Sequence, residues 1–331
     1  MVSKRYLRLG TATLGALLCL LVFSPETQAA PPRKSGVTIA PAFQEIVITP
    51  DDPSKRFDFA ITNNTAEPLE FSLSVVDFGS LDESGGVLYI GDAKKQLEYR
   101  YGLTGWVTLA KDRVVVEPKS TEKVPVTIFN RESLTPGGHY GAILVSPAET
   151  GERPTKVQIN QVLSSLLFVK KQGGEVYRLG LQSHDMPANI FKVPESVGLR
   201  FQNAGNVHVV PRGTVTITDP AGRVVRRGFI NQGSTLALPE SFRQLPAHLE
   251  TVRAAWLPGR YGMEIAYRFD GKESVEITRV SFVYINIWLA ALTLAILVLS
   301  ILMLVNARIR RAVIRAGAWP FLLLRRAAYR R

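Results

Sequence analysis

Aromatic and basic side chains cluster in residues 97–106, and their chemistry suits recognition better than catalysis. Ring faces for stacking, combined with guanidinium and indole donors, are typical of protein- and glycan-binding surfaces. This pattern predicts a binding site formed by Tyr99, Arg100, Tyr101 and Trp106. The alternative is structural, because the same residues would also pack a long hairpin onto a sheet.

Acidic residues surround a glycine-rich hairpin upstream of this segment and offer the oxygen ligands that calcium prefers. They are Asp77, Asp82, Glu83 and Asp92. Their spacing does not match the EF-hand loop, so a solvated turn is the preferred interpretation. We therefore predict no metal site.

No part of the sequence has the spacing of a known catalytic motif. A Gly-x-Ser-x-Gly elbow, a phosphate-binding loop and a dinucleotide fingerprint are all missing. The single cysteine, Cys19, lies in the N-terminal apolar run, so neither thiol catalysis nor disulfides are expected in the exported part. The histidines lack the i, i+4 spacing of metal ligands; they are His139, His184, His208 and His248. We expect a non-enzymatic protein without a cofactor.

The basic net charge reflects membrane topology and not a nucleic-acid partner. Of the formal charge of +12, the first 30 residues contribute +2 and the arginine-rich residues 306–331 contribute +8, which leaves +2 for everything between. A nearly neutral central region offers no electrostatic footprint for a phosphate backbone. Nucleic-acid binding is therefore not expected.

Residues 1–29 have the organisation of a signal peptide. Lys4, Arg5 and Arg8 precede an uncharged run that closes on small residues, with cleavage predicted after Ala29. The alternative is an uncleaved N-terminal anchor, although the run is short for that role. Export from the cytoplasm follows from either interpretation.

A second apolar stretch lies near the C-terminus. Residues 283–305 would form a helix about 34 Å long, enough to cross about 30 Å of hydrocarbon. Tyr284 and Trp288 would lie at the outer interface, and the basic tail 306–331 would lie in the cytoplasm. We predict a single-pass cell-membrane protein with an extracellular N-terminal ectodomain, in contact with lipid through the helix and the arginine-rich tail.

The elements that must position these side chains are β-strands. Period-two alternation recurs throughout residues 37–282, for example in 57–61, 69–75 and 124–128, and turn sequences separate the alternating stretches. Many short strands with frequent turns indicate β-sandwiches. We predict an all-β fold of two tandem immunoglobulin-like sandwich domains, residues 37–171 and 175–282, followed by the single transmembrane helix.

A weak internal repeat supports two domains. The sequence PGGHYG at 136–141 has a counterpart, PGRYG, at 258–262, late in each predicted domain. Pro-Gly followed by Tyr at the start of a late strand is typical of a tyrosine corner, in which the phenol bonds to nearby backbone. We predict this structural role for Tyr140 and Tyr261.

With these segments in view, the chain resembles the WxL-interacting proteins of Gram-positive bacterial surfaces. Short motifs carry the resemblance: IAP at 39–41, VVD at 75–77, GGVLY at 85–89, VVVEP at 114–118, PGGHYGAIL at 136–144 and FQNAGNVHVVPRG at 201–213. The resemblance implies a first domain that associates with peptidoglycan and a second that meets a protein partner. It transfers no individual binding residue, and the poorly alternating stretch 238–256 departs from it.

The function that follows is a membrane-anchored cell-surface scaffold that attaches to the cell wall and holds or recruits secreted surface proteins. The alternative is a pilus-chaperone-like assembly factor that binds surface subunits by strand addition at an exposed sheet edge.

Overall fold

The computed structural model of the chain describes residues 36–90, 100–148 and 162–305. Two β-sandwiches, one 3-10 helical turn (Thr104–Trp106) and one α-helix account for the regular structure in these ranges. The predicted signal peptide 1–29 and basic tail 306–331 lie outside them, as does Tyr99. An all-β fold with one short helix is therefore observed.

The first sandwich consists of two sheets. One has the order β1-β3-β8-β6, and the other has the order β2-β10-β9-β4-β5 with β7 beside β4. Pairing is antiparallel except between β2 and β10. The strands are β1 (Val37–Ala40), β2 (Phe43–Ile48), β3 (Ser54–Asn63), β4 (Leu69–Ser80), β5 (Val87–Ile90), β6 (Val107–Leu109), β7 (Arg113–Val116), β8 (Thr121–Phe129), β9 (Gly137–Pro147) and β10 (Leu163–Lys171).

In these strands, the alternation of apolar and polar residues in the sequence corresponds to an alternation of buried and outward-facing side chains. In β8, Val124, Val126 and Ile128 are fully buried, whereas the residues between them face outward. They meet Phe59 and Ile61 of β3 and the inward side chains of the other sheet in one core. Two facing sheets bury their apolar faces in this way because neither could do so alone.

The second sandwich has eight strands in the order β11-β13-β16-β15-β14-β17-β18-β12. β16 pairs with β13 through its first part and with β15 through its last five residues, so it joins the two halves of the sandwich. The strands are β11 (Leu179–His184), β12 (Asn189–Ile190), β13 (Ser196–Asn203), β14 (Arg212–Thr218), β15 (Val224–Ile230), β16 (Ser241–Thr251), β17 (Gly259–Phe269) and β18 (Lys272–Tyr284).

Three details differ from the sequence-based expectation. The stretch 238–256, which showed no clear alternation, contains β16, where Leu245, Ala247 and Leu249 are buried. Pro246 interrupts the strand-like composition of this stretch, but its side chain points outward and β16 continues through it. Residues 175–178, at the predicted start of the second domain, form an irregular connection before β11.

The third difference concerns the start of the apolar helix. Val283 and Tyr284 belong to β18, and the helix α1 (Ile287–Val305) begins four residues after the predicted start. The side-chain oxygen of Asn286 accepts hydrogen bonds from the backbone N–H groups of Trp288 and Leu289, which caps the helix. With 19 residues, α1 is about 28 Å long. By the joint criteria of length and hydropathy, no helix within the described ranges qualifies as a membrane span.

Candidate functional site

The segment from Arg100 to Trp106 is held in place by a buried carboxylate. A single oxygen of Asp77, on β4, accepts hydrogen bonds from Leu103 N (2.7 Å), Thr104 N (2.8 Å) and Thr104 Oγ1 (2.6 Å). Asp77 is only 7% exposed, and these bonds replace its lost hydration. The carboxylate that the sequence offered as a metal ligand is therefore a positioning residue for the loop.

Two of the predicted binding residues reach across to the second sandwich. Arg100 Nη1 lies 2.9 Å from Glu240 Oε1, and the Tyr101 hydroxyl donates to the same oxygen at 2.8 Å. The Arg100 guanidinium also lies over the Tyr101 ring, 5.4 Å from its centroid. Arg100 and Tyr101 thus act in part as a contact between the domains.

Trp106 lies at the other side of the same segment, against a buried histidine. Its indole N–H donates to Ser133 Oγ at 3.1 Å, and its ring centroid is 5.7 Å from that of His139. His139 contacts the carbonyls of Gly102 (Nδ1, 2.9 Å) and Thr135 (Nε2, 2.8 Å). Burial lowers the pKa of His139, and the two carbonyls oppose that shift. A neutral ring can donate to only one of them.

These residues enclose a cavity of about 830 Å³. Its wall brings together aromatic rings, two guanidinium groups, an imidazole and an amide; the main contributors are Arg100, Tyr101, Trp106, Arg131, His139 and Asn206. In the part of the chain that the structure describes, Arg131 forms no ion pair, and its guanidinium lies 5.5 Å from the Phe129 ring centroid. The cavity can offer stacking surfaces and cationic donors to a polar or anionic ligand.

The cavity opens beside a tightly bonded contact between the sandwiches. Asn206 of the second sandwich accepts a bond from Gly138 N through its backbone oxygen (2.8 Å) and donates from Nδ2 to Gly174 O (2.9 Å). Its Oδ1 accepts from Val176 N at 2.6 Å. One asparagine, in the turn after β13, therefore joins the start of β9 to the interdomain connection.

Tyr140 belongs to this contact, which corrects the predicted corner. Its hydroxyl accepts a 2.8 Å bond from His208 N and lies 3.2 Å from His208 Nδ1, in the other domain. Gly138, which precedes it, passes so close that a Cβ there would lie 2.2 Å from the hydroxyl. The phenol passes over Gly138 and reaches His208 in the neighbouring domain.

Tyr261 has the local bond that a tyrosine corner requires. Its hydroxyl donates to Leu257 O, four residues upstream, at 2.8 Å. Burial raises the pKa of Tyr261 to about 12, so the donor proton is retained at neutral pH. The two repeat sequences thus place similar tyrosines in different roles.

An aromatic and aliphatic cluster completes the contact. Phe168 lies edge-on to Phe78, Tyr140 and His208, with ring centroids 5.2–5.6 Å apart. Leu236 and Leu238 of the second sandwich pack on the same group. A buried apolar patch with directional hydrogen bonds holds the two domains at a defined angle.

A second opening lies on the other side of this cluster, between the two sandwiches. It has a volume of about 440 Å³ and a largely apolar floor; its lining includes Phe43, Phe168, Leu236, Leu238, Arg212 and Arg243. Arg243 Nε is buried and has no hydrogen-bond partner among the described residues. Burial lowers the pKa of Arg243.

Asp82 and Glu83 take structural roles, and Asp92 lies outside the described residues. Asp82 Oδ1 accepts bonds from Ser84, Gly85 and Gly86 and closes the hairpin turn, and these bonds lower the pKa of Asp82. Glu83 forms a two-pronged ion pair with Arg200 across the domains, at 2.7 and 2.8 Å. No group of three or more metal-ligating side chains occurs in the described ranges.

Sequence reasoning found part of this site. Three of the four predicted residues, Arg100, Tyr101 and Trp106, line one cavity, and Tyr99 lies outside the described residues. Sequence reasoning missed Arg131 and Asn206, which come from turns that are distant in sequence from residues 97–106. The only available signal was turn composition around them, and turns say nothing about which cavity their side chains reach.

No protein-family model matches the chain, and no curated protein matches it. Among solved structures, the chaperone–tip adhesin complex of CFA/I fimbriae biogenesis is 10% identical, with a TM-score of 0.42, over 76% of this chain and 99% of that one. The class 5 fimbriae chaperone CfaA is 8% identical (TM-score 0.39; 76% and 100% covered). The Pseudomonas aeruginosa chaperone CupB2 is 11% identical (TM-score 0.33; 72% and 97% covered). Likeness at this level concerns the fold alone.

Proposed function

We propose that the chain is a membrane-anchored, non-enzymatic binding protein of the cell surface, which holds wall glycan or a secreted surface protein in the cavity beside Trp106. The single observation that carries this proposal is the convergence of Arg100, Trp106 and Arg131 on one cavity of about 830 Å³. Peptidoglycan is the ligand that we expect first, because it combines sugar rings with carboxylates.

The chemistry of the cavity fits such a ligand. The Trp106 ring offers an apolar face for a sugar, and a guanidinium can bind a carboxylate with two parallel hydrogen bonds. Arg131 is the better candidate for this ion pair, since Arg100 already lies 2.9 Å from Glu240. Trp106 and Arg131 are therefore the proposed binding residues, and Arg100 and Tyr101 line the cavity beside them.

A rigid ectodomain supports a scaffold function. The contacts of Tyr140, Asn206 and Glu83 with the opposite domain, together with the apolar cluster around Phe168, oppose rotation of one sandwich against the other. A partner bound at the cavity would then be held at a constant position relative to the C-terminal helix. Two domains joined only by a flexible linker would not hold the partner at a constant position.

The anchor in this proposal is α1. Its side chains are apolar on all sides and mostly exposed, for example Leu294 (62%), Leu297 (57%) and Ile301 (51%). A helix that is apolar all round needs an apolar environment, and a bilayer supplies one. Arginines in 306–331 would place the C-terminus in the cytoplasm and the sandwiches outside the cell.

The test is sedimentation of the full chain, in detergent micelles, with purified cell walls. Trp106→Ala and Arg131→Ala should each weaken wall binding about tenfold or more, the loss expected for a central contact. Phe229→Ala is the matched control, because Phe229 is a large exposed side chain (57%) remote from the cavity, and it should bind as the wild type does. Equal binding by all three variants would contradict the proposed site.

A second candidate function is an assembly factor that binds surface subunits by strand addition. The observation that favours it is the opening between the sandwiches, where Phe43 and Glu45 of β2 lie on the wall. β2 pairs with β10 on one side and ends its sheet on the other, so a peptide strand can add beside it. Phe43→Asp should then abolish capture of secreted subunits and leave wall binding unchanged.

A further inference from the structure

The base of the second sandwich surrounds the point at which the chain enters α1. Only Ile285 and Asn286 separate β18 from the helix. Ile285 N donates to Ile190 O at 2.8 Å, and Asn286 Nδ2 donates to Trp256 O at 3.0 Å. The end of β12, from which one loop departs, and the loop between β16 and β17 are thus fixed against the start of the helix.

Each of these two loops presents a large aromatic side chain to the outside. Phe191, directly after Ile190, is 61% exposed, and Trp256 is 55% exposed. Trp288, in the first turn of α1, is 84% exposed. Phe191 and Trp256, on the two loops, form an apolar patch near the exposed ring of Trp288, and water solvates such a patch poorly.

We propose that this patch, Phe191 with Trp256, docks the second sandwich onto the headgroup region of the lipid bilayer that α1 enters. The inference rests on the proposed membrane anchor. Its occupant follows from covalent continuity, because the two-residue connection bonds to Ile190 and Trp256 and leads directly into a helix that is apolar except for Thr293 and Ser300. Tryptophan at the headgroup level keeps its ring in an apolar layer and its N–H in a wet one.

Charge near the patch fits an anionic lipid surface. Arg253 lies three residues before Trp256, and Arg260 follows on β17, paired in register with Val283 at the foot of β18. Basic side chains at this height are attracted to lipid phosphates. Docking would limit tilting of the sandwich about the connection and so fix the height at which the first domain presents its cavity.

The test is site-directed nitroxide labelling of the full chain in a Cys19→Ser background, reconstituted in vesicles of equal parts phosphatidylcholine and phosphatidylglycerol. Labels are placed at Phe191→Cys and Trp256→Cys. The control label is at Val275→Cys, which is similarly exposed (54%) but nine residues up β18, about 30 Å above its foot. A fourth label at Leu297→Cys reports the anchor. Collision with lipid-soluble oxygen is compared with collision with a water-soluble nickel chelate.

The oxygen-to-nickel collision ratio should be highest for the label at 297 and lowest for the label at 275. The labels at 191 and 256 should give ratios severalfold above that of the label at 275. If the labels at 191 and 256 give the same collision ratio as the label at 275 while the label at 297 is lipid-exposed, the docking proposal is wrong and the membrane anchor is supported. If 297 collides freely with nickel, the anchor itself is wrong. Protection of 191 and 256 from both reagents would mean that protein covers the patch, which also overturns lipid docking.

Discussion

The hydroxyl of Tyr140, in the first sandwich, accepts a 2.8 Å hydrogen bond from the backbone N–H of His208 in the second. Tyr140 is completely buried and His208 is 4% exposed, so neither group can turn to water instead. His208 Nε2 lies 3.3 Å from Glu45 Oε1, which extends the contact to β2. A single buried phenol therefore links the two domains through His208, and the network reaches solvent at Glu45, whose side chain is 44% exposed.

Tyr140→Phe should destabilise the contact between domains more than either sandwich. The variant leaves a buried His208 N–H without its acceptor, which costs about 1–3 kcal/mol. We expect a lower midpoint in urea unfolding and faster proteolysis within the connection 172–178. Tyr261→Phe is the control, because its bond to Leu257 O lies within one domain. That variant should lose stability without faster cleavage of the connection; equal cleavage of both variants would contradict the assigned role.

Stability should fall as the pH drops below about 6.5. Burial is the main cause that lowers the folded-state pKa of both His139 and His208 from 6.5. Between the lowered pKa and 6.5 the unfolded chain binds more protons than the folded one, so acid favours unfolding in that window and the stability is regained above 6.5. Urea unfolding from pH 5 to 8 measures this slope. His208→Gln should reduce it, and an unchanged slope would mean that His208 does not contribute.

Asp77→Ala should disorganise the binding segment. The change removes the acceptor of three hydrogen bonds from Leu103 and Thr104, and the loss should be on the order of 3 kcal/mol. Wall binding should weaken in parallel, because Arg100 and Trp106 lose their fixed backbone. Asp82→Ala is the matched control, since its oxygen serves only an exposed turn among the described residues. If both variants bind walls normally, Asp77 does not position the site.

Asn63→Asp should be one of the most damaging isosteric changes in the chain. Asn63 is fully buried, and its Nδ2 donates to Glu67 O (2.7 Å) and Val116 O (3.0 Å). A carboxylate there would face two carbonyl oxygens without donors, at a cost of about 3 kcal/mol or more. Thermal unfolding measures the effect. Asn64→Asp changes the adjacent, exposed residue and should shift the melting temperature little.

The sequence alone determined the all-β class and the sites of most turns. Period-two alternation in β3 and β8 follows directly from one face being buried, so Phe59, Val124 and Val126 could be assigned to the core before the fold was known. It also drew attention to Arg100, Tyr101 and Trp106, because aromatic and basic residues rarely crowd together in a solvated hairpin. Local chemistry was sufficient for the strands and their buried faces, and the binding role of Arg100, Tyr101 and Trp106 stays a prediction.

Tertiary structure alone decided what those side chains contact. The similar repeats at 136–141 and 258–262 predict the same role for Tyr140 and Tyr261, yet one hydroxyl reaches the neighbouring domain and the other a residue four positions away. Likewise, Asn206 of the second sandwich joins the cavity only because the two sandwiches meet at a particular angle, whereas Arg131 reaches it from the turn between β8 and β9 of the first sandwich. Strand patterns specify which face of an element is buried, whereas hydrogen bonds between residues 68 apart depend on how whole domains pack.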